Sequence, residues 1–316
     1  MSKSATDNAN QIADKYRKKT GNNAGDLDEL KVDPHFIEDP IASQLLEYAI
    51  TRGKNAIIVG PTGCGKSTLA INVLARLQRK AEIVSCHGDT SSDNLIGKPW
   101  LVTDPVSKEV ITKVSYGAAL RAYRDGKTLL LEEVDIATAE VLASLHRILE
   151  IKSDFYICDI GEQEILPKSK LYSTIATANT IGTGEDDFMY AGTKPMNLAF
   201  MNRFCPRIKL GYLQPTDEIQ VLVNKTGIEP QVAGKMVAVA NDVRDCSDPK
   251  RIANGGLAAG TSPMVSVIST RDLIEWGDMT TELSFDLKEA AKYCFLDLMP
   301  DADQESVITL MQNRGL

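Results

Sequence analysis

A single glycine-rich turn limits what this chain can fold into more than any other feature. Residues Gly60-Pro61-Thr62-Gly63-Cys64-Gly65-Lys66-Ser67 read G-x-x-x-x-G-K-S. The apolar run Ala56-Ile57-Ile58-Val59 precedes them and reads as a buried strand. From Thr68 onward, Leu69, Val73 and Leu77 recur at helical spacing. Strand, glycine turn and helix, in that order, make the context in which this pattern becomes a phosphate-binding loop. Glycines let successive backbone N–H groups converge on one point, and the helix N-terminus adds partial positive charge there. Lys66 brings a full charge to the β- and γ-phosphates, and the Ser67 hydroxyl can ligate Mg²⁺. Residues Gly60 to Thr68 are therefore expected to cradle a nucleoside triphosphate.

A second stretch carries complementary chemistry. Lys127-Thr128-Leu129-Leu130-Leu131 reads as another buried strand and ends in Glu132-Glu133. In P-loop nucleotidases a carboxylate at such a strand end holds Mg²⁺, and a neighbouring one can act as general base toward water. Glu132 takes the metal-side position and Glu133 the base position; a merely solvated acidic strand end is the plainer alternative. Tyr172 to Ala178 reads as a further buried strand ending in Asn179. That amide is either a group that holds the attacking water or a turn-forming asparagine. Ser269-Thr270-Arg271-Asp272 matches a capping box and starts a helix through Trp276. Arg271 then falls in a first helical turn, where it can face phosphate.

The apolar content of 43% and charged content of 25% belong to an ordinary globular chain, and 316 residues accommodate two domains. No run approaches the ~20 apolar residues of a membrane span, and no signal-peptide pattern opens the chain. Six scattered cysteines with no C-x-x-C argue against a zinc site or disulfide framework, and for a cytoplasmic protein. A net charge of −8 without a basic stripe argues against a nucleic-acid partner. His87 reads as a hydrogen-bonded loop residue rather than a ligand.

Residues 1–30 are polar and read as a flexible tail, with Ala9, Ile12, Ala13 and Tyr16 at helical spacing. Ile41, Leu45, Leu46, Ala49 and Ile50 form a helical stripe before the P-loop strand. Hairpins are expected around 98–114 and 154–168. Adding Glu82 to Cys86 and Pro206 to Leu210 gives five strands interleaved with helices, an open parallel α/β sheet over residues 31–212. Residues 213–316 turn helical and read as a smaller lid: Asp217 to Thr226, Gln231 to Arg244, a loop over 245–268, the capped helix, and a last helical stretch from Phe285 to Met299.

With these residues in place, the chain resembles the AAA+ ATPases, and within them the MoxR and magnesium/cobalt-chelatase branch, most of all the cobaltochelatase small-subunit type. Beyond the two nucleotide motifs, the likeness is carried by Asp93 to Gly97, Ala176 to Gly182, Tyr190 to Thr193, Met201-Asn202-Arg203-Phe204 and Ser269-Thr270-Arg271. The resemblance implies ATP and Mg²⁺ as ligands. It makes Asn179 sensor 1, Arg271 sensor 2 and Arg203 an arginine finger acting on a neighbouring subunit, with Arg207 the second candidate. It also implies hairpins facing a central channel, a homo-oligomeric ring, most often hexameric, and a partner with a von Willebrand A-type domain. The sequence departs from the pattern at Glu132 and Asn202, where Asp is usual. The expected activity is that of an ATP-hydrolysing motor that remodels or activates a partner, chelatase-like or MoxR-chaperone-like. A nucleotide-gated scaffold with little hydrolysis and a DNA-directed motor are the alternatives.

Overall fold

The computed structural model describes residues 30–104, 108–150, 155–157, 164–180, 196–248, 252 and 262–316. Helix α1 (Pro40–Thr51) starts at Asp39, whose side chain accepts from the Ala42 N–H, with Pro40 supplying a preset φ. Strand β1 (Asn55–Val59) runs into the P-loop and helix α2 (Lys66–Arg76). Then come β2 (Ala81–Ser85), the short α3 (Ser92–Leu95), the hairpin β3 (Gly97–Thr103) and β4 (Val110–Tyr116), and α4 (Ala118–Asp125). Strand β5 (Thr128–Glu132), α5 (Ala139–Ser144), the hairpin β6 (Phe155–Ile157) and β7 (Glu164–Leu166), β8 (Ser173–Ala178), α6 (Leu198–Met201) and β9 (Arg207–Lys209) complete the α/β part.

The five main strands form one parallel sheet in the order β2-β5-β8-β1-β9. The apolar runs of the inner strands β1 and β5 are unbroken because both faces are covered there, while the edge strands β2 and β9 are partly exposed. Alternation sorts the residues by face. Ala56 and Ile58 pack with Leu46, Ile50, Leu69 and Val73 of α1 and α2. Ile57 and Val59 pack on the other face with Leu120, Tyr123, Val141 and Leu145. The carboxyl ends of β1, β8 and β5 are adjacent, so the P-loop, Asn179 and Glu133 emerge side by side.

The chain continues as α7 (Pro215–Thr226), α8 (Pro230–Ser247), α9 (Thr270–Glu282), α10 (Leu287–Cys294), a 3₁₀ turn (Leu296–Leu298) and α11 (Asp301–Asn313). These helices share their own core around Trp276, which packs edge-on against Phe295 at 5.3 Å and donates its indole N–H to the Leu287 carbonyl at 2.8 Å. No described helix is long and apolar enough to cross a membrane.

The fold is the α/β P-loop AAA+ fold expected from sequence, with three local differences. The expected helix from Phe285 to Met299 is shorter: it starts behind Asp286, whose side chain accepts from the Glu289 N–H, and breaks at Phe295. Pro300 then opens α11, which sequence reading did not anticipate. Ile41 leaves the α1 stripe and is 70% exposed. The tail with its helical spacing lies outside the described residues, as do residues 181–195, which include Gly182 and Tyr190 to Thr193, and half of the loop at 245–268.

Candidate functional site

The P-loop is shaped by two glycines in the left-handed region, Gly63 at φ +69° and Gly65 at φ +92°, the latter capping α2. The loop is also enclosed. A Cβ on Gly60 would lie 2.1 Å from the Leu210 carbonyl oxygen, one on Gly63 2.4 Å from the Ser269 side chain, and one on Gly65 2.8 Å from the Phe36 ring. Three separate segments thus close on the phosphate cradle: the residue after β9, the cap of α9, and the segment before α1.

Lys66 is buried at its centre. Its Nζ donates at 2.8 Å to each of three oxygens, the Gly60 and Pro61 carbonyls and Asn179 Oδ1. Burial pushes the lysine below its ordinary range, and the nearby Cys64, Asp135 and Glu133 oppose that shift only in part. The Cys64 thiol, packed under the loop, is itself pushed up by burial.

The acidic strand end divides its two carboxylates. Glu132, half-buried, accepts from the Ser85 hydroxyl at 2.8 Å. Glu133 is exposed and sits at φ +55°, a conformation that costs a non-glycine residue on the order of 1 kcal/mol or more. Its N–H donates to the Thr177 hydroxyl, and the next N–H, of Val134, to the Thr177 carbonyl, so β8 holds the turn.

Asp135 is the residue that sequence reading missed. It is fully buried, and its Oδ2 accepts from the backbone N–H of Asn179 at 2.8 Å, from that of Thr180 at 3.0 Å and from the Thr180 hydroxyl at 3.3 Å. Its Oδ1 has no hydrogen-bond partner among the described residues. Asp135 thereby fixes the turn that points Asn179 at Lys66. The one sequence signal was an acid among Val134, Ile136 and Ala137, two residues past Glu133. With Glu133 and Glu132 it also adds to the burial that pushes the Cys86 thiol up to about 12.

Arg271 enters from the helical part. Ser269 caps α9 in a full capping box with Asp272, and Arg271 follows in the first turn, near Gly63. Beside the P-loop lies a cavity of about 250 Å³, with Phe36, Leu213, Val221 and Ile274 as apolar walls and Lys225 and Arg271 among its polar ones. Phe36 and Lys225 carry no motif and were not singled out by sequence. Lys225 pairs with Asp33 at 2.5 Å. Burial works to raise the Asp33 carboxyl, but Lys225 and the His35 N–H outweigh it and hold it below its ordinary value.

The structure brings Lys66, Glu133, Asn179 and Arg271 around one cradle, with Ser67, Thr68 and Glu132 beside it. It does not bring Arg203 there. The Asn55 side chain, at the start of β1, donates to the Arg203 carbonyl, and the Cys205 N–H donates to the Asn55 carbonyl. The P-loop leaves the other end of that five-residue strand, about 16 Å away. The Arg203 guanidinium donates to the Ala199 carbonyl at 2.5 Å and faces Glu150 at 3.7 Å. Arg207 is exposed and donates to Asn202 Oδ1 at 2.9 Å.

Comparison with known proteins adds the following. Residues 55–204 match the AAA domain family (dynein-related subfamily), and residues 218–313 match the CbbQ/NirQ/NorQ C-terminal family. The aerobic cobaltochelatase subunit CobS of Sinorhizobium sp is 25% identical over 288 residues, covering 90% of this chain and 82% of its own. An uncharacterised protein of Staphylococcus haemolyticus is 24% identical over 256 residues, covering 81% of this chain and 88% of its own. Midasin of Dictyostelium discoideum is 25% identical over 279 residues, 87% of this chain but 4% of midasin.

Proposed function

This chain belongs to the AAA+ ATPases of the MoxR and CbbQ type and is similar to the cobaltochelatase subunit CobS, and from that premise we propose a division of labour within its site. The observation that carries it is the position of Lys66. Its ammonium group lies buried in the P-loop, held by two backbone carbonyls and Asn179, where the phosphates of ATP supply a stronger partner. Lys66 and the N–H groups of residues 60–68 bind the β- and γ-phosphates, and the apolar walls of the adjoining cavity take the base.

Ser67 and Glu132 would hold Mg²⁺; a hydroxyl and a carboxylate are the hard oxygen donors that suit it. When bound, the ion neutralises charge on the transferring phosphate. Glu133 takes the proton of the attacking water as its oxygen bonds to the γ-phosphorus and the bond to the β–γ bridging oxygen breaks. Asn179, aimed by Asp135, orients that water. Arg271 engages phosphate from the helical side, and Arg203 reaches the site of a neighbouring subunit. We further propose a homo-oligomeric ring, hexameric as in related AAA+ proteins, that couples ATP turnover to remodelling of a partner protein with a von Willebrand A-type domain. Chelatase-like work is supported only by the likeness to CobS.

Phosphate release and nucleotide binding, measured together, test this reading. Lys66→Ala is expected to abolish ATP binding. Glu133→Gln is expected to bind ATP and to lose turnover by about 10²-fold or more, the scale of general-base catalysis. Turnover at the parental rate in Glu133→Gln sinks the assignment of the base. A parent chain that binds ATP without turning it over supports instead the scaffold reading, which the Glu132 substitution favours.

A further inference from the structure

We propose that Tyr212, Arg244 and Glu218 form a positioning cluster that fixes the Arg271 helix against the P-loop and so tunes the reaction proposed above, on whose reading it rests. Glu218 on α7 is fully buried and the Arg244 side chain on α8 is 8% exposed. They pair in a bidentate fork, Nη1 to Oε2 at 2.8 Å and Nη2 to Oε1 at 2.9 Å. A buried pair of this kind adds little net stability, because desolvation takes back most of the Coulomb energy. What it supplies is direction, since a planar fork admits one geometry.

The outer partners of the pair show what it aims. Arg244 Nε donates to the Ile268 carbonyl at 2.8 Å, and the Thr270 hydroxyl donates to Glu218 Oε1 at 2.6 Å. Those two residues flank Ser269, the cap of α9, whose side chain closes on Gly63. Arg271 is the next residue after Thr270. On its other side the Arg244 guanidinium stacks 3.8 Å from the centre of the Tyr212 ring, and the Tyr212 hydroxyl donates to the Thr62 carbonyl in the P-loop at 3.0 Å. One guanidinium therefore joins the turn that receives phosphate to the helix start that delivers Arg271. Neither Glu218 nor Arg244 lines the nucleotide cavity. Both act through Arg271 and are positioning residues.

The decisive variant is Tyr212→Phe, which keeps the stacked ring and removes the hydroxyl that bonds to Thr62. It is expected to lower the melting temperature by no more than about 4 °C and kcat/KM about fivefold, the scale of one neutral hydrogen bond. In an Arg271→Ala background the same substitution is expected to change nothing further, because the group it aims is gone. Arg244→Lys, which keeps charge but loses the fork and the stack, is expected to show a larger loss with the same dependence on Arg271. An equal loss from Tyr212→Phe in both backgrounds, or no loss in the parent, overturns the cluster. A parent that binds ATP without hydrolysing it refutes the proposed turnover rather than the cluster. The same cycle is then read in ATP affinity, and independence of Tyr212 from Arg271 there overturns it.

Discussion

Lys66 governs how the site responds to pH. In the free protein burial lowers its proton affinity; phosphate oxygens in place of the three neutral acceptors raise it again. ATP binding is therefore accompanied by proton uptake in the alkaline window between the lowered value and the restored one. Affinity is expected to be level at neutral pH and to fall as pH rises through that window, by at most about tenfold per unit for one proton. Fluorescent-nucleotide titrations from neutral to alkaline pH measure it, with Lys66→Arg as control, since arginine stays charged throughout. A parental affinity that stays flat across the series removes the desolvated lysine from phosphate binding. Glu132 makes the second residue-scale case. Its Ser85 hydrogen bond holds a side chain one methylene longer than the usual aspartate. Glu132→Asp is expected to retain turnover, and Glu132→Ala to raise the Mg²⁺ needed for half-maximal turnover by about tenfold or more, as when a metal site loses a supporting group. An unchanged Mg²⁺ titration in Glu132→Ala excludes it from the metal site.

Among the elements, strand β1 carries more than its length suggests. Asn55 is buried at its start, and its side-chain N–H groups donate to the Leu149 carbonyl at 2.7 Å and the Arg203 carbonyl at 3.1 Å. Asn55→Ala leaves two acceptors without that donor and is expected to cost roughly 1–3 kcal/mol. Urea unfolding tests it: the midpoint should fall with the slope unchanged, and a parental midpoint refutes the role. Elements of this sheet were legible in the sequence because both faces are buried, so Ala56 to Val59 and Leu129 to Leu131 stand out as unbroken apolar runs. The capped helix at Ser269 was legible because a capping box is local. The break at Phe295 was not, since the packing of Phe295 against Trp276 is a tertiary contact. Nor was Asp135: its partners, Asn179 and Thr180, lie 44 and 45 residues away. Glu218 and Arg244 fall in two stretches, Asp217 to Thr226 and Gln231 to Arg244, that read only as helical, and packing alone reveals that the two side chains meet.

At the scale of the whole molecule, Arg203 lies at the amino end of a strand whose carboxyl end bears the P-loop. An arginine so placed lies too far to serve its own phosphate site, as the proposed action on a neighbour's site requires. Arg203→Ala is expected to bind ATP and to lose turnover on the order of 10³-fold, as finger loss does in other P-loop nucleotidases. Arg203→Ala and Lys66→Ala subunits, each inactive alone, are expected to recover part of the activity when mixed. No recovery, in assemblies shown by light scattering to contain both, refutes a shared site. The pair of Asp33 and Lys225 bears on the same cycle from another direction. It fastens the segment that carries Phe36 to the helix that carries Lys225, both walls of the cavity, across 192 residues of chain. Parting those walls breaks the pair, and an exposed pair resists by only ~0–1 kcal/mol. The clasp therefore slows the parting of the walls by less than about tenfold. Ionic strength, which screens such a pair, is then expected to change how long spent nucleotide stays by no more than that factor.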